Sequence, residues 1–212
     1  MHDLIAELDR ARRAVHGADL HNAPGHVVEL RRRLRAPVAE AWEACTAPGR
    51  VGRWFLPLGG DLRLGGHFQL EGNAGGTITV CEPPRRLQLT WEFGDAEPSS
   101  VALELTSAGD DATEVVLRHT VPNDDAWTQY GPGAVGVAWD LHMVALANFV
   151  VGNDLPKGEE FMADPRMPDV MRHSAALRGV AHEAGGASAE AARDAAARSS
   201  AFYAPQGQPK PT

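Results

Sequence analysis

The chain has 212 residues, of which 43% are hydrophobic and 23% charged, and its formal net charge is −8. This length allows one generous domain or one domain with additions, and the acidic balance disfavours binding to nucleic acid or to anionic membranes. No run of about 18 apolar residues predicts a membrane span and the N-terminus lacks a signal-peptide pattern, so a cytoplasmic protein is expected.

Residues 1–25 are predicted to form a helix followed by a linker. The helical spacing over residues 3–16 is carried by Leu4, Ile5, Leu8, Ala11 and Val15. The segment 17–25, which is rich in glycine and also holds a proline, then interrupts that spacing. Arginines follow at positions 31–33 and 35 within the next predicted strand, where they are expected to form a solvated face or a sheet edge.

Residues 26–152 are predicted to form the main domain. A first strand leads to Pro37, which opens a helix containing Trp42, and a short helical turn follows around residues 50–54. Short strands separated by glycine and proline come next, beginning with one at Leu62 and Leu64. Residues 87–93 alternate strictly between apolar and polar side chains, as a half-buried strand does. Turn signals at intervals of about ten residues predict an antiparallel meander.

The period becomes helical from residue 134 to residue 152. One strongly amphipathic face carries Val135, Trp139, His142, Leu146 and Phe149. Asp140 and Asn148 fall off that face. A mostly antiparallel sheet with a single amphipathic helix must bury the helix stripe against its apolar face. The sequence therefore predicts an α+β helix-grip fold, in which a curved antiparallel sheet wraps around a long helix and leaves a cavity between them.

Residues 153–204 are predicted to be a helical extension packed on the core. One helix follows Asp164-Pro165 and ends at Gly185-Gly186, with Val180 on its apolar face, and Ser188 is placed to cap a second helix. The extension could serve as a lid or as part of a homodimer, which the pattern leaves open. Residues 205–212 are rich in proline and glutamine and are expected to be a disordered tail.

The most specific motif of the main domain is Gly76-Thr77 followed by Glu82-Pro83-Pro84 and Leu87, which fixes a turn between two strands. Other distinctive pieces are Ala36-Pro37-Val38, Trp42, Trp54-Phe55, Gly65-Gly66-His67-Phe68 and Trp91. Together they resemble the motifs of the START-like SRPBCC superfamily, and most of all the branch of the activator of heat-shock-protein-90 ATPase homologues. The resemblance implies the helix-grip fold, which lipid carriers, plant hormone receptors and polyketide cyclases share, so the fold alone does not assign a function.

Two histidines are candidates for chemistry. His119 shares parity with inward-facing strand residues, and His142 lies at the centre of the helix stripe. They could act as acid and base or orient a polar ligand atom, or each could be a buried, hydrogen-bonded histidine. No third metal ligand has suitable spacing, no cofactor motif is present, and Cys45 and Cys81 are expected to be buried thiols.

The remaining candidate residues are apolar or aromatic, and they either line the cavity or simply pack the core. They are Trp54, Phe55, Phe68, Trp91, Trp127, Tyr130, Trp139, Met143 and Leu146. Trp127 and Tyr130 are placed in the loop before the long helix, where a cavity mouth would lie.

Three functions stay open at this point. The first is a binding protein that takes up a small hydrophobic or aromatic molecule in the cavity, and the residues favour this one. The second is an enzyme of the cyclase, dehydratase or hydrolase kind that uses His119 or His142. The third is a co-chaperone that activates a heat-shock ATPase, which only the resemblance suggests.

Overall fold

The structure is a computed structural model that describes residues 3–205. Its sheet has eight strands, all paired antiparallel, in the order β1-β2-β8-β7-β6-β5-β4-β3. The strands are β1 Arg12–Leu20, β2 Ala23–Leu34, β3 Leu58–Gly60, β4 His67–Leu70, β5 Gly75–Glu82, β6 Arg86–Trp91, β7 Ser99–Ser107 and β8 Thr113–Pro122. The helices are α1 Leu4–Asp9, α2 Val38–Thr46, α3 Pro48–Trp54, α4 Asp125–Tyr130, α5 Gly133–Phe149, α6 Gly158–Met162, α7 Met167–Ala184 and α8 Ala189–Tyr203.

The predicted α+β helix-grip fold is confirmed. The antiparallel sheet curves around α5. The alternation read along β6 and β8 sets the inner face, because successive side chains of a strand point to opposite sides. Leu30 and Val115 from the sheet, Trp42 from α2 and Leu146 from α5 all belong to the same buried core.

The long helix is buried on two sides, which corrects the expectation of a single apolar stripe. Trp139 and Leu146 face the sheet core. Val137 and Val144 lie in a second core, which α1 and α7 close. Asp140 and Asn148, predicted to lie off the buried face, are 1% and 4% exposed. Sequence periodicity could not show this, because the second core is made by segments far away along the chain.

The N-terminal segment differs from the predicted helix and linker over residues 1–25. Among residues 3–25, which the structure describes, only α1 is helical, and β1 pairs with β2 along its whole length. His21 and Asn22 close this hairpin with φ values of 52° and 64°, the left-handed values that a two-residue type I′ turn needs. Ala11 and Val15 misled the prediction because a spacing of four residues fits both a helix and one face of a strand.

Two further expectations about strands are wrong. Arg32 does not belong to a solvated face: it is 5% exposed, between the inward-facing Leu30 and Leu34. β2 is an interior strand because β1 covers its edge, and the Arg32 guanidinium pairs with Glu7 of α1. The strand expected at residues 62–64 is absent from the described chain, since β3 lies earlier and residues 61–66 form a loop.

A buried ion cluster joins the extension to the domain. The carboxylate of Asp140 on α5 accepts hydrogen bonds from Arg178 Nη2 at 2.6 Å, Ser174 Oγ at 2.6 Å and Arg13 Nε at 3.0 Å. The side chains of Arg178 and Arg13 are only 1% and 5% exposed. Gly136 leaves the space for Arg178, since a Cβ there would meet the guanidinium Nε at 2.5 Å. The cluster therefore ties β1, α5 and α7 together.

The extension contains α6, α7 and α8, and α7 packs against α5, β1 and α8. Val180, predicted on the apolar face of its helix, is instead 68% exposed. The tail that was expected to be disordered lies outside the described residues from position 206 onward. Within residues 3–205, no helix is long and apolar enough to span a bilayer, and no cluster of three or more His, Cys, Asp or Glu side chains could hold a metal.

Candidate functional site

A cavity of about 340 Å³ lies between the inner face of the sheet and the helices α2, α3 and α5. We call it the apolar chamber, because its walls are almost entirely hydrophobic. It is lined by Trp42, Cys45, Thr46, Val51, Trp54, Phe55, Leu58, Leu62, Phe68, Leu70, Ile78, Cys81, Pro83, Leu87, Leu89, Trp91, Val101, Leu103, Leu117, Trp139, His142, Met143 and Leu146. Its size falls within the range of about 300–1,000 Å³ that is usual for small-molecule pockets.

A second cavity of about 380 Å³ adjoins the first at the N-terminal end of α5. We call it the loop chamber, because loops and the short α4 contribute much of its wall. It is lined by Phe55, Asn73, Trp91, Phe93, Ala96, Glu97, Ser99, His119, Val121, Pro122, Asp124, Ala126, Trp127, Ala134, Val135, Ala138, Trp139 and His142. Phe55, Trp91, Trp139 and His142 line both chambers and form the shared wall between them.

His119 is a buried imidazole with both ring nitrogens occupied. The indole N–H of Trp139 donates to His119 Nδ1 across 3.0 Å. Because an indole nitrogen can only donate, the ring proton of His119 is on Nε2, which donates to Oγ of Ser99 at 2.8 Å. The Ser99 hydroxyl in turn donates to the carbonyl of Trp91 at 3.2 Å. His119 therefore serves to fix Trp139 and Ser99, and neither nitrogen is left to exchange a proton with a ligand.

We expect an NMR titration of His119 to show a midpoint near pH 4. Burial disfavours the imidazolium and lowers the pKa of His119 from 6.5 to about 4. As the pH falls, the unfolded chain therefore binds the extra proton before the folded chain does. The stability that neutral, buried His119 contributes is complete above pH 6.5 and is lost as the pH falls towards 4. The total loss at the lower end is roughly 3 kcal/mol. A midpoint near 6.5 for the Cε1 proton would contradict the buried, neutral assignment.

His142 differs from His119 because its ring nitrogens have no partner. Within residues 3–205, no group forms a hydrogen bond with its imidazole, although the ring packs edge-on against Phe55 at 4.3 Å between centroids. Burial lowers the pKa of His142 to about 4, so the ring is neutral at pH 7 and offers one donor and one acceptor. An unpartnered polar group in an apolar wall is a natural place for a ligand hydrogen bond.

Two other polar groups of the apolar chamber are occupied by backbone carbonyls. The Thr46 hydroxyl donates to the Trp42 carbonyl at 2.8 Å, and the Trp54 indole N–H donates to the Ala44 carbonyl at 2.9 Å. Burial raises the pKa of the Cys45 thiol to about 12, so Cys45 is a protonated, apolar wall group. His142 is a group of this wall that offers both a hydrogen-bond donor and an acceptor.

The structure places all but one of the predicted lining residues on the chamber walls. Tyr130 is the exception: its ring packs against Phe202 at 5.4 Å, and its carbonyl accepts from Ser199 Oγ at 3.0 Å, so it lies beneath α8. Tyr130 and Trp127 are in α4 and not in the predicted loop. Trp127 lines the loop chamber and stacks on His26 at 3.8 Å.

Sequence reasoning missed the contribution of α2. Trp42, Cys45 and Thr46 line the apolar chamber from one side of that helix. Their spacing of three and four residues is the signal that could have identified them. The thiol of Cys81 and the loop-chamber carboxylates Glu97 and Asp124 were also not expected in these walls.

Comparison with known proteins gives matches over most of the chain. The family model for "Activator of Hsp90 ATPase homolog 1-like protein" matches residues 35–150. The crystal structure of CalU16 from Micromonospora echinospora is 34% identical, with a TM-score of 0.65, and the match covers 82% of this chain and 97% of CalU16. The solution NMR structure of CalU16 gives 36% identity, a TM-score of 0.67, and coverage of 82% and 94%.

A more distant structure shows the fold alone. Protein MLL2253 from Mesorhizobium loti is 19% identical with a TM-score of 0.54, over 61% of this chain and 99% of that protein. A search of curated proteins found no match.

Proposed function

This chain belongs to the family of activator of Hsp90 ATPase homolog 1-like proteins, within the START-like SRPBCC superfamily, and we propose that it binds a small hydrophobic or aromatic molecule in the apolar chamber. The observation that carries the proposal is the cavity of about 340 Å³ with a hydrophobic wall and one unpartnered imidazole, that of His142. Burial of apolar ligand surface supplies the affinity at roughly 25 cal/mol per Å² before the costs of association.

The state of His142 selects the polar group of the ligand. A neutral imidazole can donate to a carbonyl or accept from a hydroxyl, and either bond would form among mainly apolar side chains, where a hydrogen bond is stronger than in water. The edge-on contacts with Phe55 and Trp139 hold the ring in place. A molecule with an aromatic or aliphatic body and one hydroxyl or carbonyl group fits this wall.

The catalytic alternative has less support. Of the two histidines that it could use, His119 has both ring nitrogens engaged with Trp139 and Ser99. A pKa near 4 also keeps both rings neutral at pH 7, so neither is an imidazolium that could act as a general acid there. The chaperone-activator role comes from the name of the family and not from any surface of this chain, so binding is the function that we propose.

The experiment is calorimetric titration and thermal unfolding with naphthylethanol and methylnaphthalene. A ligand at 100 times its dissociation constant stabilises the native state by about 2.7 kcal/mol, which thermal unfolding detects readily. We expect saturable binding of both compounds. If neither compound binds or raises the unfolding temperature, the proposed cavity function is wrong.

Replacing His142 by phenylalanine is expected to weaken naphthylethanol about tenfold, because one net hydrogen bond of about 1–1.5 kcal/mol is lost. Methylnaphthalene has no hydroxyl group, so its affinity should fall much less in the same variant. The ratio of the two dissociation constants, measured by calorimetry, isolates the hydrogen bond from the packing change.

The matched control is His173→Phe, since His173 lies on α7, pairs with Asp9 and lines neither chamber. With this control variant, both dissociation constants should stay within about twofold of those of the unmodified protein. That is well below the tenfold change that corresponds to 1.4 kcal/mol. Equal weakening of the two compounds by His142→Phe would show that the imidazole does not bind the hydroxyl.

A further inference from the structure

The charged side chains that line the two chambers are all acidic. In the described part of the chain, no charged side chain lines the apolar chamber, and the loop chamber carries the carboxylates of Glu97 and Asp124. Among residues 3–205, neither lysine nor arginine lines either chamber. A ligand with a carboxylate or phosphate would therefore leave water for a site that offers it no cationic partner, which is costly.

The arginines at the C-terminal end of α5, Arg50 and Arg53, are engaged outside both chambers. The guanidinium groups of Arg50 and Arg53 lie over the ring of Phe149, at 5.5 and 4.9 Å from its centroid, and Phe149 lines neither chamber. Arg53 also pairs with Asp154 at 2.6 Å. These two cations are thus committed to partners away from both chambers.

The two loop-chamber carboxylates are held in different ways. Asp124 caps α4, with Oδ1 accepting from the Trp127 N–H at 2.8 Å. The side chain of Glu97 is 58% exposed, and one of its oxygens lies 3.9 Å from Nδ1 of His21. The same chamber is walled by the aromatic rings of Trp91, Phe93 and Trp127. Carboxylates together with aromatic faces are the groups that proteins use to bind an ammonium ion.

The apolar chamber and the loop chamber meet at the shared wall. Phe55, Trp91, Trp139 and His142 line both chambers, so the polar end of the site lies directly beside the apolar space. Resting on the proposed function, we infer that the ligand of this cavity is a hydrophobic amine. Its apolar body occupies the apolar chamber, and its ammonium group lies in the loop chamber near Glu97 and Asp124.

The test compares three compounds with one naphthyl body: naphthylethylamine, naphthylethanol and naphthylacetate. At pH 7 they are cationic, neutral and anionic. We expect the amine to bind more tightly than the alcohol, and the amine to exceed the carboxylate by at least about tenfold, because partly exposed ion pairs each contribute up to about 1 kcal/mol and the carboxylate is repelled as well. The preference should shrink as salt is added.

The double variant Glu97→Gln/Asp124→Asn should collapse the ratio of amine to alcohol affinity towards one. Asparagine keeps the cap of α4, because it is as good an N-cap as aspartate. The matched control is Asp110→Asn/Asp111→Asn, which removes two exposed charges at the opposite end of β8. It should leave the ratio unchanged.

The outcomes separate the inference from the function on which it rests. If the alcohol binds and the amine shows no advantage, or the carboxylate binds best, the inference is overturned while the cavity function stands. An amine preference that survives the Glu97/Asp124 variant would also overturn it. Failure of all three compounds to bind would overturn both.

Discussion

Replacing Asp140 by alanine is expected to lower the free energy of unfolding by about 3–5 kcal/mol, because it leaves buried cations without a counter-ion. The carboxylate accepts hydrogen bonds from Arg178, Arg13 and Ser174, and the two guanidinium groups are almost fully shielded from water. Neither arginine can lose its charge at accessible pH. Relief then requires α7 to move away from α5, so the extension should become more accessible to proteases.

The measurement is urea unfolding of the variant beside Asp169→Ala. Asp169 is also on α7, but it pairs with Arg172 at the surface, where the side chains are 69% and 44% exposed. An exposed pair of this kind contributes less than about 1 kcal/mol. If the two variants lose equal, small amounts of unfolding free energy, the Asp140 cluster does not hold the extension in place.

Replacing Leu89 by tryptophan is expected to weaken naphthylethanol about 10- to 100-fold, because crowding a packed apolar space costs about 1–3 kcal/mol. Leu89 lies on β6 and lines the apolar chamber. Its strand neighbours Ile78 and Val101 hold the backbone on either side. The larger indole must therefore extend into the chamber, where it takes the space of the ligand.

The adjacent residue is the control. Gln88 lies on the same strand and points to the other face of the sheet, since side chains alternate along a strand. Gln88→Trp adds an indole of the same size outside the chamber, and it should leave the dissociation constant nearly unchanged. Calorimetric titration of both variants checks this, with near-ultraviolet circular dichroism to confirm native packing. Equal affinities for Leu89→Trp and the unmodified protein would place the ligand elsewhere.

The local parts of the fold could be predicted from the sequence. The alternation along β6 and β8 and the helical stripe of α5 each depend on neighbouring residues, and together they imply a sheet that grips a helix. The hairpin of β1 and β2 could not be predicted, because its turn, His21-Asn22, has no glycine and its apolar spacing suits a helix as well. The burial of Arg32 and Asp140 depends on contacts with Glu7 and Arg178, far away along the chain.

The sequence was enough to predict which elements form the walls of the candidate site. It was not enough to predict which polar groups in those walls are hydrogen-bonded. Inward parity places His119 and His142 on facing elements, as the structure has them. Parity does not show that Trp139 and Ser99 occupy both nitrogens of His119 and that His142 is left without a partner. That difference is set by side-chain positions in three dimensions, and it decides which histidine is available to a ligand.

The most direct measurement of ligand binding in the apolar chamber is the set of intermolecular nuclear Overhauser contacts that naphthylethanol makes with the isotope-labelled protein of 212 residues. We predict contacts from the naphthyl protons to Leu87, Met143 and Leu146, which line the apolar chamber and not the loop chamber, with the hydroxyl end beside His142. Contacts confined to exposed apolar side chains such as Phe202 and Val180, or none at saturating concentration, would contradict the proposed function.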